Sequence, residues 1–336
     1  MGLDNIVRFD EWMHLALYGP TGFYTSGGQA GRRGDFLTSP EVGPLFGAVV
    51  ARLVDAEWDR LGQPSEFVVA EVGAGPGTLA RGVLAARPRV AQAGALRYLC
   101  VETSAAQRAK HPDGVESIAS LPETPFTGIV FTNELLDNLA FRLAVWDDGW
   151  REAYVVEDTG RWLETLMPFD IMPSCLPSGG VPLGARAPVQ DAAGAWVAEA
   201  RSRLVRGRVV VIDYCVGVTA ELAMRPWREW LRTYREQQRG AHYLMSPGSQ
   251  DITTEVCIDQ LVACVGEPDS LRGQAQWLQY WGIDELVEEG RAMWEAKAHA
   301  PDLAAMKGRS RVREAEALLD PNGLGGFTVL EWVVAN

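Results

Sequence analysis

Between Phe67 and Leu79 the chain reads Phe-Val-Val-Ala-Glu-Val-Gly-Ala-Gly-Pro-Gly-Thr-Leu. The apolar run predicts a buried strand. Three glycines at alternate positions, Gly73, Gly75 and Gly77, predict a sharp turn into a helix that starts at Thr78. Glycine is required at such a corner because positive φ and close approach of a ligand both exclude a Cβ. The N–H groups left free at the helix start then favour a polar or anionic ligand group.

From Phe67 onward strand and helix patterns alternate. Strand candidates are 67–72, 96–102, 128–132, 208–213 and 327–334, near-continuous apolar segments separated by helical stretches. That alternation predicts an α/β fold with a mostly parallel sheet covered on both faces. Two segments interrupt it. Residues 140–187 carry period-two runs with turns at Asp148-Gly149 and Thr159-Gly160, which predicts a small β insertion. Residues 215–320 read as a largely helical insertion, with a loop at 246–250.

Residues 1–65 read as a helical segment ahead of the α/β remainder at 66–336. In it Phe9, Trp12, Met13, Ala16 and Leu17 fall on one helical face, and Gly19-Pro20 ends that helix. A glycine-rich loop follows. Ser39 then reads as an N-cap with Pro40 at N1 and Glu41 complementing the dipole, ahead of a stripe of Phe46, Val50, Leu53, Val54 and Trp58.

Composition narrows the partners. The 336 residues are 47% hydrophobic and carry a net charge of −13, which supports a substantial core and disfavours nucleic acid and anionic membrane as partners. Five cysteines without paired spacing predict free thiols in a reducing compartment. Four scattered histidines predict no metal site. No apolar run approaches a membrane span and the first residues lack a leader pattern, so the expectation is a cytoplasmic protein.

Three motifs can carry chemistry. Glu102 ends the second strand, beside the glycine turn at the switch point of a doubly wound sheet, where a carboxylate accepts hydrogen bonds from ribose hydroxyls. The Gly-x-Gly-x-Gly spacing after Glu71 points to S-adenosylmethionine more than to NAD, whose turn places the third glycine one position later. Asn133, Glu134 and Asp137 follow the next strand; they suit either a nitrogen nucleophile or the capping of a following helix. Residues 34–41 combine polar side chains with a helix start, suited to a ligand carboxylate or to capping alone. Trp227, Trp230, Leu231 and Tyr234 share a helical face ringed by Arg225, Arg228, Arg232, Arg235 and Arg239, read as a core-facing stripe with a solvated rim.

Taken in order, these blocks resemble the MidA-like family of S-adenosylmethionine-dependent methyltransferases, which includes the mitochondrial complex I assembly methyltransferase. The resemblance runs through Met13 to Tyr18, Gly22-Phe-Tyr24, Gly34-Asp-Phe-Leu-Thr-Ser-Pro-Glu41, Glu71 to Leu79, Glu102-Thr-Ser104, Asn133-Glu-Leu-Leu-Asp137, Ile212-Asp-Tyr214, Pro247 to Thr254 and Gly325 to Leu330. It implies a class I, Rossmann-like methyltransferase fold with a seven-stranded sheet whose last strand is antiparallel, and an N-terminal segment that covers the cofactor site.

The resemblance also implies S-adenosylmethionine as cofactor, held by Glu71, Gly73, Gly75, Gly77, Thr78, Glu102, Thr103, Ser104 and Asn133, with Asp35, Phe36, Thr38 and Ser39. It implies methylation of a protein arginine, with a respiratory complex I subunit as the target class. Glu134, Asp137 and Asn133 are then the catalytic candidates, with Glu41 a further acid. This chain departs from the family pattern after Asp137, where it reads Asn138-Leu-Ala-Phe141, and at Arg235-Glu-Gln-Gln-Arg239. A small-molecule acceptor, or a non-catalytic assembly protein that binds the cofactor, are the alternatives.

Overall fold

The computed structural model describes residues 6–25, 38–235 and 238–335. Among them, the central sheet has seven strands in the order Ser270–Gly273, Thr328–Val334, Leu204–Asp213, Phe126–Asn133, Phe67–Val72, Leu96–Val101 and Glu116–Ile118. The five from Leu204–Asp213 to Glu116–Ile118 pair in parallel, and Thr328–Val334 runs antiparallel to both its neighbours. Burial on both faces explains the unbroken apolar runs. Val69, Ile129, Phe131, Val210 and Ile212 pack under Pro44–Arg60, Thr78–Ala86 and the helices Ile283–Lys297 and Leu303–Leu319. Val130, Val209 and Val211 pack under Asp191–Ser202 and Ile258–Val265.

Glu116–Ile118 and Ser270–Gly273 were not legible in the sequence. Both are short strands at the sheet's edges with mostly exposed or half-buried residues, so neither carries an apolar run.

The insertion at 140–187 forms a second sheet. Arg142–Trp146, Trp150–Asp158, Arg161–Met167 and Arg186–Val189 pair antiparallel, and Asp148, Gly149, Thr159 and Gly160 adopt the positive φ that tight hairpin turns demand. Ile6–Arg8 joins this sheet against Trp150–Asp158. The helix Phe9–Tyr18 then lies over it, burying Phe9, Trp12, Met13, Ala16 and Leu17 against Phe141, Leu143, Val155 and Trp230. The four large side chains stabilise this docking by roughly 1.5–3 kcal/mol each. The first 65 residues are therefore divided, residues 6–25 packing with the inserted sheet and 38–60 with the central one.

Two expectations need correction. The helix expected from a Ser39 cap to Gly62 is split into Ser39–Val42 and Pro44–Arg60, with Thr38 at the N-cap position. Pro44 supplies no N–H and disfavours a helical Gly43. The free Leu45 N–H donates instead to Glu314 Oε2 at 2.9 Å. A Cβ at Gly43 would lie 2.4 Å from that carboxyl, so a larger residue there would displace the Glu314 side chain from the Leu45 N–H.

The region 215–320 is helical only in part. Thr219–Met224 is a short helix, Trp227–Glu229 a single 3-10 turn, and Arg232–Arg235 an extended strand paired with Asp251–Thr253. The supposed helical stripe at 227–234 fails because Pro226 starts only the short turn. Trp230 then anchors to the Leu222 carbonyl at 3.0 Å, and burial alternates along 231–234 with the period of a strand.

Candidate active site

The glycine turn, Glu102 and the Asn133–Asp137 block lie at the C-terminal ends of parallel strands. The turn after Phe67–Val72 holds Gly73, Gly75 and Gly77 at φ 72°, 50° and 78°. A Cβ on Gly77 would sit 2.8 Å from Pro112, whereas one on Gly75 would meet nothing within 4 Å, so the turn is open on the Gly75 side. Glu102 organises the corner: its carboxylate accepts from Gly75 N–H at 3.0 Å and from Ser104 N–H at 2.8 Å, with Thr103 Oγ1 at 3.4 Å. A carboxylate has about four acceptor sites and three are taken, so capacity remains for a ligand hydroxyl.

His111 supports the same turn from outside. Its Nε2 lies 2.9 Å from the Gly75 carbonyl, which can only accept, so Nε2 carries the proton; Nδ1 then accepts from Ser117 Oγ at 2.8 Å. Nothing in the spacing of the histidines signalled this.

Other expected cofactor residues take different places. Glu71 is buried beneath the turn, where Tyr98 donates to it at 2.7 Å; burial pushes its carboxyl up to about 7 against that hydrogen bond. It braces the corner through Tyr98. Thr78 Oγ1 donates to Glu41 at 2.6 Å, which engages the weaker acid candidate as a link between two helix starts. Ser39 donates to Gln274 at 3.0 Å in full burial, and Thr38 is buried beside it. Asp35 and Phe36 lie outside the described residues.

The second half of the site is acidic. Glu134 sits at φ 54° with its N–H on the Ile212 carbonyl, which turns its side chain back across the strand ends. Asn133 Nδ2 donates to Glu134 Oε1 at 2.8 Å and Tyr214 OH to Oε2 at 2.9 Å. Asp137 lies in the 3-10 turn Leu136–Asn138, not at the cap of an α-helix. Asp213 captures that turn by accepting from the Leu136 and Asp137 N–H groups at 2.9 and 3.3 Å. Thr253 Oγ1 donates to Asp137 at 2.5 Å. Asp251 accepts from Asn138 Nδ2 and from Tyr24 OH, each at 3.0 Å.

Four carboxyls thus share one buried region, and each resists ionisation. Burial is the main cause, pushing Glu134, Asp137 and Asp251 up to about 7 and Asp213 well above its usual range; mutual repulsion adds to it. The hydrogen bonds from Tyr214 and Asn133, and the Ser39 backbone, oppose the rise at Glu134. Arg232 stacks on the Tyr214 ring at 5.2 Å and offsets part of the charge at Asp137.

Asp213, Tyr214, Asp251, Thr253, Tyr18 and Tyr24 were absent from the expected site. Their blocks stood out only through the resemblance, because their convergence depends on four separate segments.

The residues present fit a nucleoside cofactor bearing ribose hydroxyls. The Gly75 side of the turn is open, Glu102 has an acceptor site to spare, and Asn133 Oδ1 is buried with no hydrogen-bond partner among the described residues.

Comparison with known proteins agrees with this geometry. Residues 49–274 match the family model described as "Putative S-adenosyl-L-methionine-dependent methyltransferase". A 75-residue stretch is 45% identical to a Drosophila melanogaster protein named "Protein arginine methyltransferase NDUFAF7 homolog, mitochondrial", covering 22% of this chain and 17% of that one. The Homo sapiens protein of the corresponding name is 36% identical over 75 residues, with the same two coverages. The matched stretch is thus about a sixth of these relatives' length.

A Burkholderia thailandensis protein whose crystal structure holds S-adenosyl-homocysteine superposes with a TM-score of 0.82 at 28% identity, over 98% of this chain and 88% of that one. The expectation of a cytoplasmic protein is overturned by the curated relatives, which are named as mitochondrial. With about two thirds of its residues under the family model and nearly all of its fold shared with a protein that holds the demethylated cofactor, the chain belongs to this family of S-adenosylmethionine-dependent methyltransferases.

Proposed function

We propose that this methyltransferase transfers its methyl group to an arginine side chain of a protein, with a respiratory complex I subunit as the first target to test. The observation that carries the reading is the cluster of half-buried Glu134 with buried Asp137, Asp213 and Asp251, in which Asp137 Oδ1 also lacks a partner among the described residues. Asn133 Nδ2 is committed to Glu134, so its free atom is an acceptor as well. A site with spare acceptors and four acids that burial keeps from ionising until a positive charge arrives calls for a cationic ligand rich in N–H donors. A guanidinium has five such donors and stays charged at neutral pH. The names of the curated relatives point the same way.

Gly73, Gly75, Gly77, Glu102 and Ser104 would hold S-adenosylmethionine, which supplies an electrophilic methyl group when bound. The remaining chemistry belongs to the acids. Glu134, fixed by Asn133 and Tyr214, orients the guanidinium nitrogen through hydrogen bonds and takes the proton that this nitrogen loses on methylation. Holding the nitrogen in line contributes up to roughly 7–11 kcal/mol in favourable cases through orientation alone.

The test is transfer of a labelled methyl group to arginine peptides and to cell lysate, with mass spectrometry of the products. Methylarginine in protein, lost in Glu134→Gln, supports the reading. Label confined to small molecules, or an unchanged rate in Glu134→Gln, overturns it.

A further inference from the structure

The N-terminal segment reaches the acid cluster through two tyrosines that the mechanism above does not use. Tyr18 ends the helix Phe9–Tyr18, and Tyr24 follows the turn at Gly19 to Gly22. Their rings stack, with centroids 5.4 Å apart and planes 17° apart. Tyr24 OH donates to Asp251 Oδ1 at 3.0 Å, and Tyr18 OH donates to the Asn138 carbonyl at 3.3 Å. Asn138 Nδ2 closes the circuit on the same Asp251 oxygen and on the Ile252 carbonyl. The Thr254 N–H binds the Asp137 carbonyl at 3.0 Å. The stacked pair therefore ties together the two loops that place Asp137 and Asp251, although it belongs to the part of the chain that packs on the inserted sheet.

We propose that Tyr24, backed by Tyr18, is a positioning residue of the methyl-acceptor site, holding Asp251 in register with Asp137 so that both carboxyl groups meet the cationic side chain. The inference rests on the arginine reading above. The groups that face Asp251 are Tyr18 and Tyr24 from the N-terminal segment, Glu134, Asp137 and Asn138 from the strand end and its turn, and Tyr234 across the strand pair. Within this set Tyr24 and Asn138 donate to the carboxylate, while Asp137 repels it. Removing the Tyr24 hydroxyl leaves the repulsion and deletes one donor, so Asp251 becomes harder to ionise.

The experiment titrates N-acetyl-arginine methylamide by NMR into the full chain saturated with S-adenosyl-homocysteine, from pH 6 to 9, for the parent protein, Tyr24→Phe and Tyr18→Phe. Calorimetry with S-adenosyl-homocysteine and thermal unfolding serve as controls. Tyr24→Phe keeps the ring stack. It should weaken guanidinium binding about tenfold and move the pH at which binding develops upward, with cofactor-product affinity unchanged. Tyr18→Phe should weaken binding less and leave the pH midpoint in place. Unchanged affinity and midpoint in Tyr24→Phe overturn this inference alone. Failure of the parent protein to bind the probe at any pH overturns both this inference and the arginine reading.

Discussion

Replacing Glu134 with Gln should change the stability of the ligand-free protein in opposite directions at low and high pH. Burial lifts the Glu134 carboxyl from 4.5 to about 7. At 1.36 kcal/mol per pH unit, ionising it in place costs about 3 kcal/mol of folding free energy. The sign follows from the raised folded value: the favourable contribution is complete below about pH 4.5 and is lost as pH rises through about 7. Gln does not ionise, but its amide nitrogen only donates, so it can accept from just one of Tyr214 OH and Asn133 Nδ2 through its oxygen and forfeits about one hydrogen bond, roughly 1 kcal/mol.

The variant should therefore be less stable than the parent by about 1 kcal/mol near pH 4.5 and more stable by about 2 kcal/mol near pH 8.5. With an unfolding entropy of about 2.1 cal/mol/K per residue, the gain at pH 8.5 corresponds to a rise in Tm of about 3 °C. Thermal unfolding followed by circular dichroism across that range reads the crossover directly. A Tm difference that does not vary with pH, or that varies in the opposite sense, would refute the claim that the carboxyl is buried against its ionisation. In the same variant methyl transfer should fall by about 10²–10⁴, the usual contribution of a general base.

The other outcomes concern the cofactor corner and the scaffold. Glu102→Ala strands the N–H groups of Gly75 and Ser104 and removes the hydroxyl acceptor; calorimetry should show S-adenosyl-homocysteine binding weakened by at least about tenfold, or about 1.4 kcal/mol, with methyl-acceptor binding intact. Gly77→Ala puts a Cβ on a residue at φ 78° and 2.8 Å from Pro112, costing at least about 1–2 kcal/mol; the loss should appear as weaker cofactor binding with little change in far-ultraviolet circular dichroism. Arg208 bridges buried Glu57 at 2.8 Å and Glu331 at 3.0 Å beneath the central sheet. Arg208→Met should cost about 3 kcal/mol in denaturant unfolding while leaving cofactor affinity unchanged, because both acids lose a buried partner far from the strand ends.

Much of the fold was legible because its signals are local. The five apolar strands, the amphipathic face from Phe9 to Leu17 and the hairpin turns at Asp148-Gly149 and Thr159-Gly160 each follow from period and turn chemistry. Legibility failed where local pattern and tertiary pairing compete. The spacing of Trp227, Trp230, Leu231 and Tyr234 suits a helix, yet Pro226 starts only a single 3-10 turn and pairing with Asp251–Thr253 makes the end of that stretch extended. The break at Gly43 depends on Glu314, far away in sequence, which caps the helix that Pro44 begins.

The site divides along the same line. By itself the sequence determined the shape of the glycine corner: positive-φ glycines and a strand-end acid sit close together in the chain, and sterics leave them few alternatives. It also marked Asn133, Glu134 and Asp137 as chemistry-bearing. Only the tertiary structure decided that Glu71 is a buried brace, that Asp213 holds the turn under Asp137, and that Asp251, Tyr18 and Tyr24 arrive from distant segments. The physical reason is that backbone preferences act over a few residues, whereas the protonation of an acid depends on every charge and donor that burial brings beside it.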